Sequence, residues 1–208
     1  MAIFWHNQPD EENMLYIIRH GKTDWNEEFR LQGRTDIPLN EDGRSMAREA
    51  AKKYSGIHFD VCYCSPLSRA RETASILLEN RNVPIITDSR LLEMCFGEFE
   101  GTKDCFLHPD WAIYRFFKDT ENYVAEKGAE SLDELFSRTG DFLNTVVKKD
   151  LEDGKDVLIV GHGAMNNSII SRVRGIPVKD FWTIAIPNCE LIELGDSVGD
   201  FNPMEKSA

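Results

Sequence analysis

Basic residues are scarce in this chain. Its 208 residues carry 24 Lys and Arg against 36 Asp and Glu, a formal net charge of −12. That balance argues against a nucleic-acid partner, because binding a phosphate backbone needs a basic surface. It argues equally against an anionic membrane surface. Long apolar runs are missing too: an aliphatic stretch such as Val157-Leu158-Ile159-Val160 is far too short to span a bilayer. The apolar start, Met1 to Trp5, lacks the basic flank and small-residue cleavage site of a signal peptide. The five cysteines are odd in number and scattered, and Cys62-Tyr63-Cys64 has no second pair at zinc spacing. These absences predict reduced thiols, a cytoplasmic location and no metal or other cofactor. No Walker loop, dinucleotide glycine fingerprint or G-x-S-x-G elbow is present. No repeat or linker divides the chain, so we expect a flexible extension over 1–13 and a single domain over 14–208.

What is present reads as α/β. Leu15-Tyr16-Ile17-Ile18, Val61 to Cys64, Pro84 to Thr87, Val157 to Val160 and Leu191 to Leu194 are short, strongly apolar runs. The first and fourth suit buried strands of a parallel sheet. Asn40 followed by Glu41 and Asp42 starts a helix expected over 41–54. Ser65-Pro66 is expected to cap the next helix, running to about Glu79. Ser131-Leu132-Asp133-Glu134 has the form of a capping box, opening a helical stripe that ends at Lys148-Lys149. A last helix runs from about Gly163 to Arg174, stopped by Gly175 and Pro177. Residues 94–127 are rich in aromatics and form a short cap inserted in the domain, its rings mostly core. Strands alternating with helices imply an α/β/α sandwich with a mostly parallel central sheet.

In open α/β sheets, ligands bind beyond the carboxyl ends of the strands. The strand ends here carry Arg19-His20-Gly21, Gly161-His162-Gly163 and, on the following helix, Arg69; the third strand leads on to Glu93. Each alone could be a helix cap, a core histidine or a salt-bridge partner. Together they suggest phosphoryl transfer. Arginine grips a phosphate bidentately. A neutral imidazole can attack phosphorus and form a covalent intermediate. A carboxylic acid can protonate the departing alkoxide and then act as base on water. With arginines and a histidine cation around the phosphate, no metal is needed to stabilise the equatorial oxygens.

Leu15 to Asn26, L-Y-I-I-R-H-G-K-T-D-W-N, resembles the signature of the histidine phosphatase superfamily, also called phosphoglycerate-mutase-like. Arg30 to Leu39 is similar to the family's R-x-Q-G-x-x-D-x-P-L. Ser65 to Ala74, Leu92 to Gly101 and Val160 to Gly163 continue the resemblance in family order, over roughly residues 14 to 175. The departures are small: Lys22 stands where Glu is frequent, Ala164 where mutases often have a polar residue, and Gly128-Ala129-Glu130-Ser131 replaces G-G-E-S. The resemblance implies that His20 is the phosphorylated nucleophile. It implies that Arg19, Arg69 and His162 form the phosphate pocket, joined by Asn26, Gln32, Gly33 and Gly163. It makes Glu93 the proton donor, which calls for a proton retained through burial or nearby negative charge. Glu98 and Glu100 lie close to it in sequence.

Hydrolase and mutase share this chemistry. A mutase must also hold a second anionic group, yet residues 94–127 offer Lys103, Arg115, Lys118 and Lys127 with no adjacent pair of arginines. The expected function is therefore a metal-independent phosphomonoesterase acting on small phosphorylated metabolites and releasing inorganic phosphate. Relatives of this size include broad-specificity and α-ribazole-phosphate phosphatases. Phosphoglycerate mutase is the alternative, and a non-catalytic phosphate-binding module a more remote one. A homodimer is compatible with everything in the sequence.

Overall fold

The computed structural model describes residues 13–103, 105–196 and 198. Apart from Asn13, the expected extension lies outside the described residues, as does most of the tail. Strand β1 (Leu15–Arg19) leads to a short helix α1 (Asp24–Glu27) and then α2 (Glu41–Lys53). Next come β2 (Val61–Cys64), α3 (Ser68–Leu77) and β3 (Ile85–Thr87). Helix α4 (Ala112–Lys118) belongs to the aromatic-rich segment. Helix α5 (Leu132–Phe142) passes through a π-helical turn, Leu143–Val147, into α6 (Lys148–Glu152). The chain then forms β4 (Val157–Gly161), α7 (Gly163–Arg174) and β5 (Leu191–Gly195).

The sheet order is β3-β2-β4-β1-β5. All pairings are parallel except β1 with β5. The apolar runs of β1, β2 and β4 divide by alternation between two cores. Leu15, Ile17, Val61, Tyr63, Val157 and Ile159 face one side, with residues of α5 and α7. Tyr16, Ile18, Cys62, Cys64, Leu158 and Val160 face the other, with α2 and α3. A strand covered on both faces has no polar side, which is why these runs lack alternation in sequence. Truncating a fully buried member such as Ile17 to Ala would cost about 2–5 kcal/mol. β3, at the edge, is exposed along its length.

The expected element starts and stops hold with two exceptions. Helix α3 begins at Ser68, with Leu67 at the cap position and no side-chain cap of its own. Asp36, from a distant loop, accepts instead from the Ser68 amide at 2.8 Å and the Ser68 hydroxyl at 2.7 Å. Pro66 is therefore outside the helix rather than at its first position. The helix opened by Ser131 also continues past Lys149 to Glu152, by way of the π turn. The Ser131–Glu134 capping box itself forms, and Gly175 ends α7 at φ 65°. The described rings of 94–127 are mostly in or on the core: Phe96, Phe99 and Phe116 are buried, and Trp111, Phe117 and Tyr123 pack against the same cluster. Phe116 packs on Phe181 and Trp182. Among the described residues no helix is long and apolar enough to cross a membrane.

Candidate active site

β1 and β4 are neighbours with Arg19 opposite Gly161, so the residues that follow them meet above the sheet. The His20 and His162 rings lie 5.2 Å apart, centroid to centroid. The His20 amide donates to Gly161 O at 2.9 Å. Asn166, one turn into α7, accepts from the His162 amide at 3.1 Å and donates to Ile18 O at 3.2 Å. These bonds fix the two strand ends relative to one another. His20 Nδ1 is 2.6 Å from Gly21 O. A carbonyl can only accept, so Nδ1 carries the hydrogen and Nε2 keeps its lone pair. Burial first, then Arg69 and Arg19, hold the His20 pKa well below 6.5. The ring is therefore neutral at pH 7.

Arg69 sits in the first turn of α3, fully buried. It donates to Gly33 O at 2.7 Å and Thr35 O at 2.9 Å, while its Nε has no partner. Burial lowers its pKa from 12.5 to about 10, so it stays charged. Arg19 donates to Ile186 O at 3.1 Å; its Nε is likewise unpartnered, and burial lowers its pKa. Unpartnered guanidinium nitrogens are costly in a fold, and a ligand anion at this spot would satisfy them. Gly33 (φ 57°) lets the chain turn where any Cβ would run into Glu100. Gln32 Oε1 accepts from Thr23 Oγ1 at 3.0 Å. Asn26 closes a capping box with Thr23 and also faces the cavity. Capping the helix thus leaves Asn26 on the cavity wall.

Glu93 is buried and grips the start of α7. Its Oε2 accepts from the amides of Gly163 (2.9 Å) and Ala164 (3.2 Å). Its Oε1 accepts from Met165 (2.9 Å) and from its own neighbour Met94 (2.9 Å). The sequence led us to expect burial or negative charge around this carboxyl. The structure buries it, but surrounds it with backbone N–H groups and places it within the field of Arg19 and Arg69 rather than beside other acids.

Every predicted site residue except His162 lines one cavity of about 200 Å³. His162 is fully buried behind that wall, with neither ring nitrogen partnered. Burial, followed by Arg69, His20 and Arg19, keeps its pKa well below 6.5. The histidine cation expected from the sequence is therefore a neutral ring here. The rest of the cavity wall is apolar, formed by Leu31, Phe96, Phe117, Ala164 and Trp182, with Arg30 beside them.

The sequence pattern of the histidine phosphatase superfamily (branch 1) matches residues 15–202. The chain belongs to this superfamily. It is 28% identical over 180 residues to phosphoserine phosphatase 1 of Hydrogenobacter thermophilus, covering 84% of this chain and 82% of the relative. It is 29% identical over 182 residues to a 2,3-bisphosphoglycerate-dependent phosphoglycerate mutase of Gloeobacter violaceus, covering 85% and 82%. Among solved structures, phosphoserine phosphatase from Entamoeba histolytica in complex with 3-phosphoglyceric acid superposes with a TM-score of 0.75. That pair is 27% identical, with 87% of this chain and 89% of the other covered.

Within this histidine phosphatase the structure adds residues that sequence reasoning passed over. Glu100 is no rival to Glu93. Its carboxylate accepts from the Arg34, Thr35 and Phe96 amides and pins the turn at Gly33. This Glu is the E of the F-G-x-x-E-G stretch, whose spacing alone does not show that it pins the Gly33 turn. Trp182 comes from a segment outside the matched motifs and is placed by an indole bond to Phe116 O at 2.8 Å. No sequence signal would have found it. Among the described residues, the ligand atoms of His58, Asp60 and Asp156 lie within 4.8 Å of one another and could hold a metal ion. They precede β2 and β4, at the opposite end of the sheet from the histidines.

Proposed function

We propose that the protein is a phosphomonoesterase for small phosphorylated metabolites, working through a phosphohistidine at His20. One observation carries this reading: a neutral imidazole, its Nδ1 held by a carbonyl, shares a cavity with two arginines and a carboxyl. Arg19 and Arg69 neutralise the phosphoryl oxygens, a task that needs no metal. His20 Nε2 attacks phosphorus in line as the bond to the leaving oxygen breaks. Glu93 gives that oxygen a proton. The proton enters with the substrate, since phosphate monoesters take up their second proton near pH 6. Water then attacks the phosphohistidine, Glu93 takes its proton, and inorganic phosphate departs.

This apolar wall favours hydrolysis over phosphoryl return. A mutase needs free cations to hold the second anionic group of a bisphosphate. The wall is apolar, and Arg30 is engaged by Glu28 Oε2 at 2.6 Å and Gly101 O at 2.9 Å. The likeness to a bisphosphoglycerate-dependent mutase keeps that alternative testable. The names of relatives put phosphoserine first in a substrate panel, followed by aryl and sugar phosphates. His20→Ala should abolish both p-nitrophenyl phosphate turnover and transfer of radioactive phosphate to the protein, and wild-type activity should survive EDTA. Near-wild-type turnover in His20→Ala overturns the mechanism. Conversion of 3- to 2-phosphoglycerate faster than hydrolysis turns the function to mutase. Phosphate binding without turnover in wild type leaves a binding module.

A further inference from the structure

We propose that Glu130 is a positioning residue for Glu93, and that it ties the loop bearing Glu93 to the phosphate loop through Arg34. The inference rests on the role given to Glu93 above. Glu130 lies outside the cavity, yet its carboxylate is buried and accepts from four donors. Arg138 supplies two of them, Nε at 2.7 Å and Nη2 at 3.0 Å. Arg34 Nη2 supplies the third at 3.2 Å, and the Cys95 amide the fourth at 3.2 Å. The Glu130 amide returns a bond to Cys95 O at 2.8 Å, and Tyr123 OH holds the Glu130 carbonyl at 3.1 Å.

These donors reach the backbone of the acid from several sides. Arg34 Nε donates to the carbonyl of Glu93 itself at 3.3 Å. Arg138 Nη1 donates to the carbonyl of Arg90, three residues before it. The Cys95 amide lies two residues after it. One carboxylate thus holds the 90–95 segment at three points, while the amides of α7 hold the Glu93 carboxyl itself. Arg34 directly follows Gly33, whose carbonyl takes a bond from Arg69. The phosphate loop and the proton donor are therefore braced by the same charge. Two arginines and a backbone amide converge on one buried carboxylate, and charge-assisted bonds of this kind restrict it to one geometry. General acid catalysis needs that, because a misplacement of about 1 Å can cost about 100-fold.

The test exploits the leaving group. p-Nitrophenolate departs without a proton, whereas an alkoxide needs one. kcat/KM covers the first step, in which the alcohol leaves, and does not depend on hydrolysis of the phosphohistidine. Glu130→Gln and Arg34→Ala should each lower kcat/KM for glycerol phosphate on the order of tenfold more than for p-nitrophenyl phosphate, in the direction of Glu93→Gln. Arg34 is half-exposed, so its variant remains informative if Glu130→Gln folds poorly. Equal losses for the two substrates in the Glu130 and Arg34 variants, with the bias intact in Glu93→Gln, overturn the positioning role and leave the proposed function standing. Absence of bias in Glu93→Gln overturns the acid assignment and the positioning role with it.

Discussion

Arg69→Met separates what this arginine does for phosphate from what it costs the fold. A unit charge pair near 4 Å at an effective dielectric near 20 is worth about 4 kcal/mol. At about 1.36 kcal/mol per decade, losing it should lower kcat/KM about a thousandfold. Stability should barely follow. Burial holds the Arg69 pKa at about 10 against 12.5, so at neutral pH the folded state carries the charge at a cost. That gap corresponds to roughly 3 kcal/mol, which the methionine recovers. Against this, Gly33 O and Thr35 O lose their donors, at about 1–3 kcal/mol each. The opposing effects leave a net change of no more than about 3 kcal/mol. The assays are p-nitrophenyl phosphate kinetics, phosphate titration by calorimetry and urea denaturation with and without phosphate. Wild-type protein should be protected by phosphate and the variant should not. A kcat/KM within tenfold of wild type would refute the charge-pair argument. A variant that fails to fold would refute the account of its burial.

The paired histidines set a pH dependence. Both folded pKa values lie well below 6.5, so above that pH neither ring affects stability. Below it, the unfolded chain binds protons that the folded chain refuses. Stability therefore falls, by up to about 1.4 kcal/mol per pH unit for each ring. Urea midpoints at pH 7.5 and 5.5 read this directly, and an unchanged or higher midpoint at 5.5 contradicts it. Gly33→Ala should cost about 3 kcal/mol, combining left-handed strain with displacement of the Glu100 carboxylate; a loss below about 1 kcal/mol would show that the turn relaxes. Trp182→Ala should raise KM for naphthyl phosphate about tenfold while leaving inhibition by inorganic phosphate unchanged, since only the apolar wall is removed. Equal weakening of both would place Trp182 in the phosphate pocket.

Local signals carried the fold well. Short apolar runs, the Asn40 and Ser131 caps and Gly175 are each decided within a few residues. The start of α3 was misplaced because its cap, Asp36, lies 32 residues away from Ser68. The site was legible wherever a residue type announces its chemistry: His20, Arg19, Arg69 and Glu93 all reach one cavity. What surrounds them was not legible. That the amides of α7 hold Glu93, and that His162 is neutral behind the wall, depends on packing between distant segments. The roles of Glu100 and Glu130 were likewise hidden, because their arginine and amide partners are set by the fold alone.

The apolar wall is built differently from the polar part of the cavity. His20, Arg69 and Gly163 sit at strand ends and helix starts, where the sheet leaves little freedom. Phe117 and Trp182 pack against one another at a tilt of 33°, ring centroids 5.2 Å apart, and the Trp182 indole donates to the Phe116 carbonyl. Substitutions at Phe117 and Trp182 can therefore alter which leaving group fits without shifting His20, Arg69 or Gly163, and redesign of selectivity should begin at these two rings.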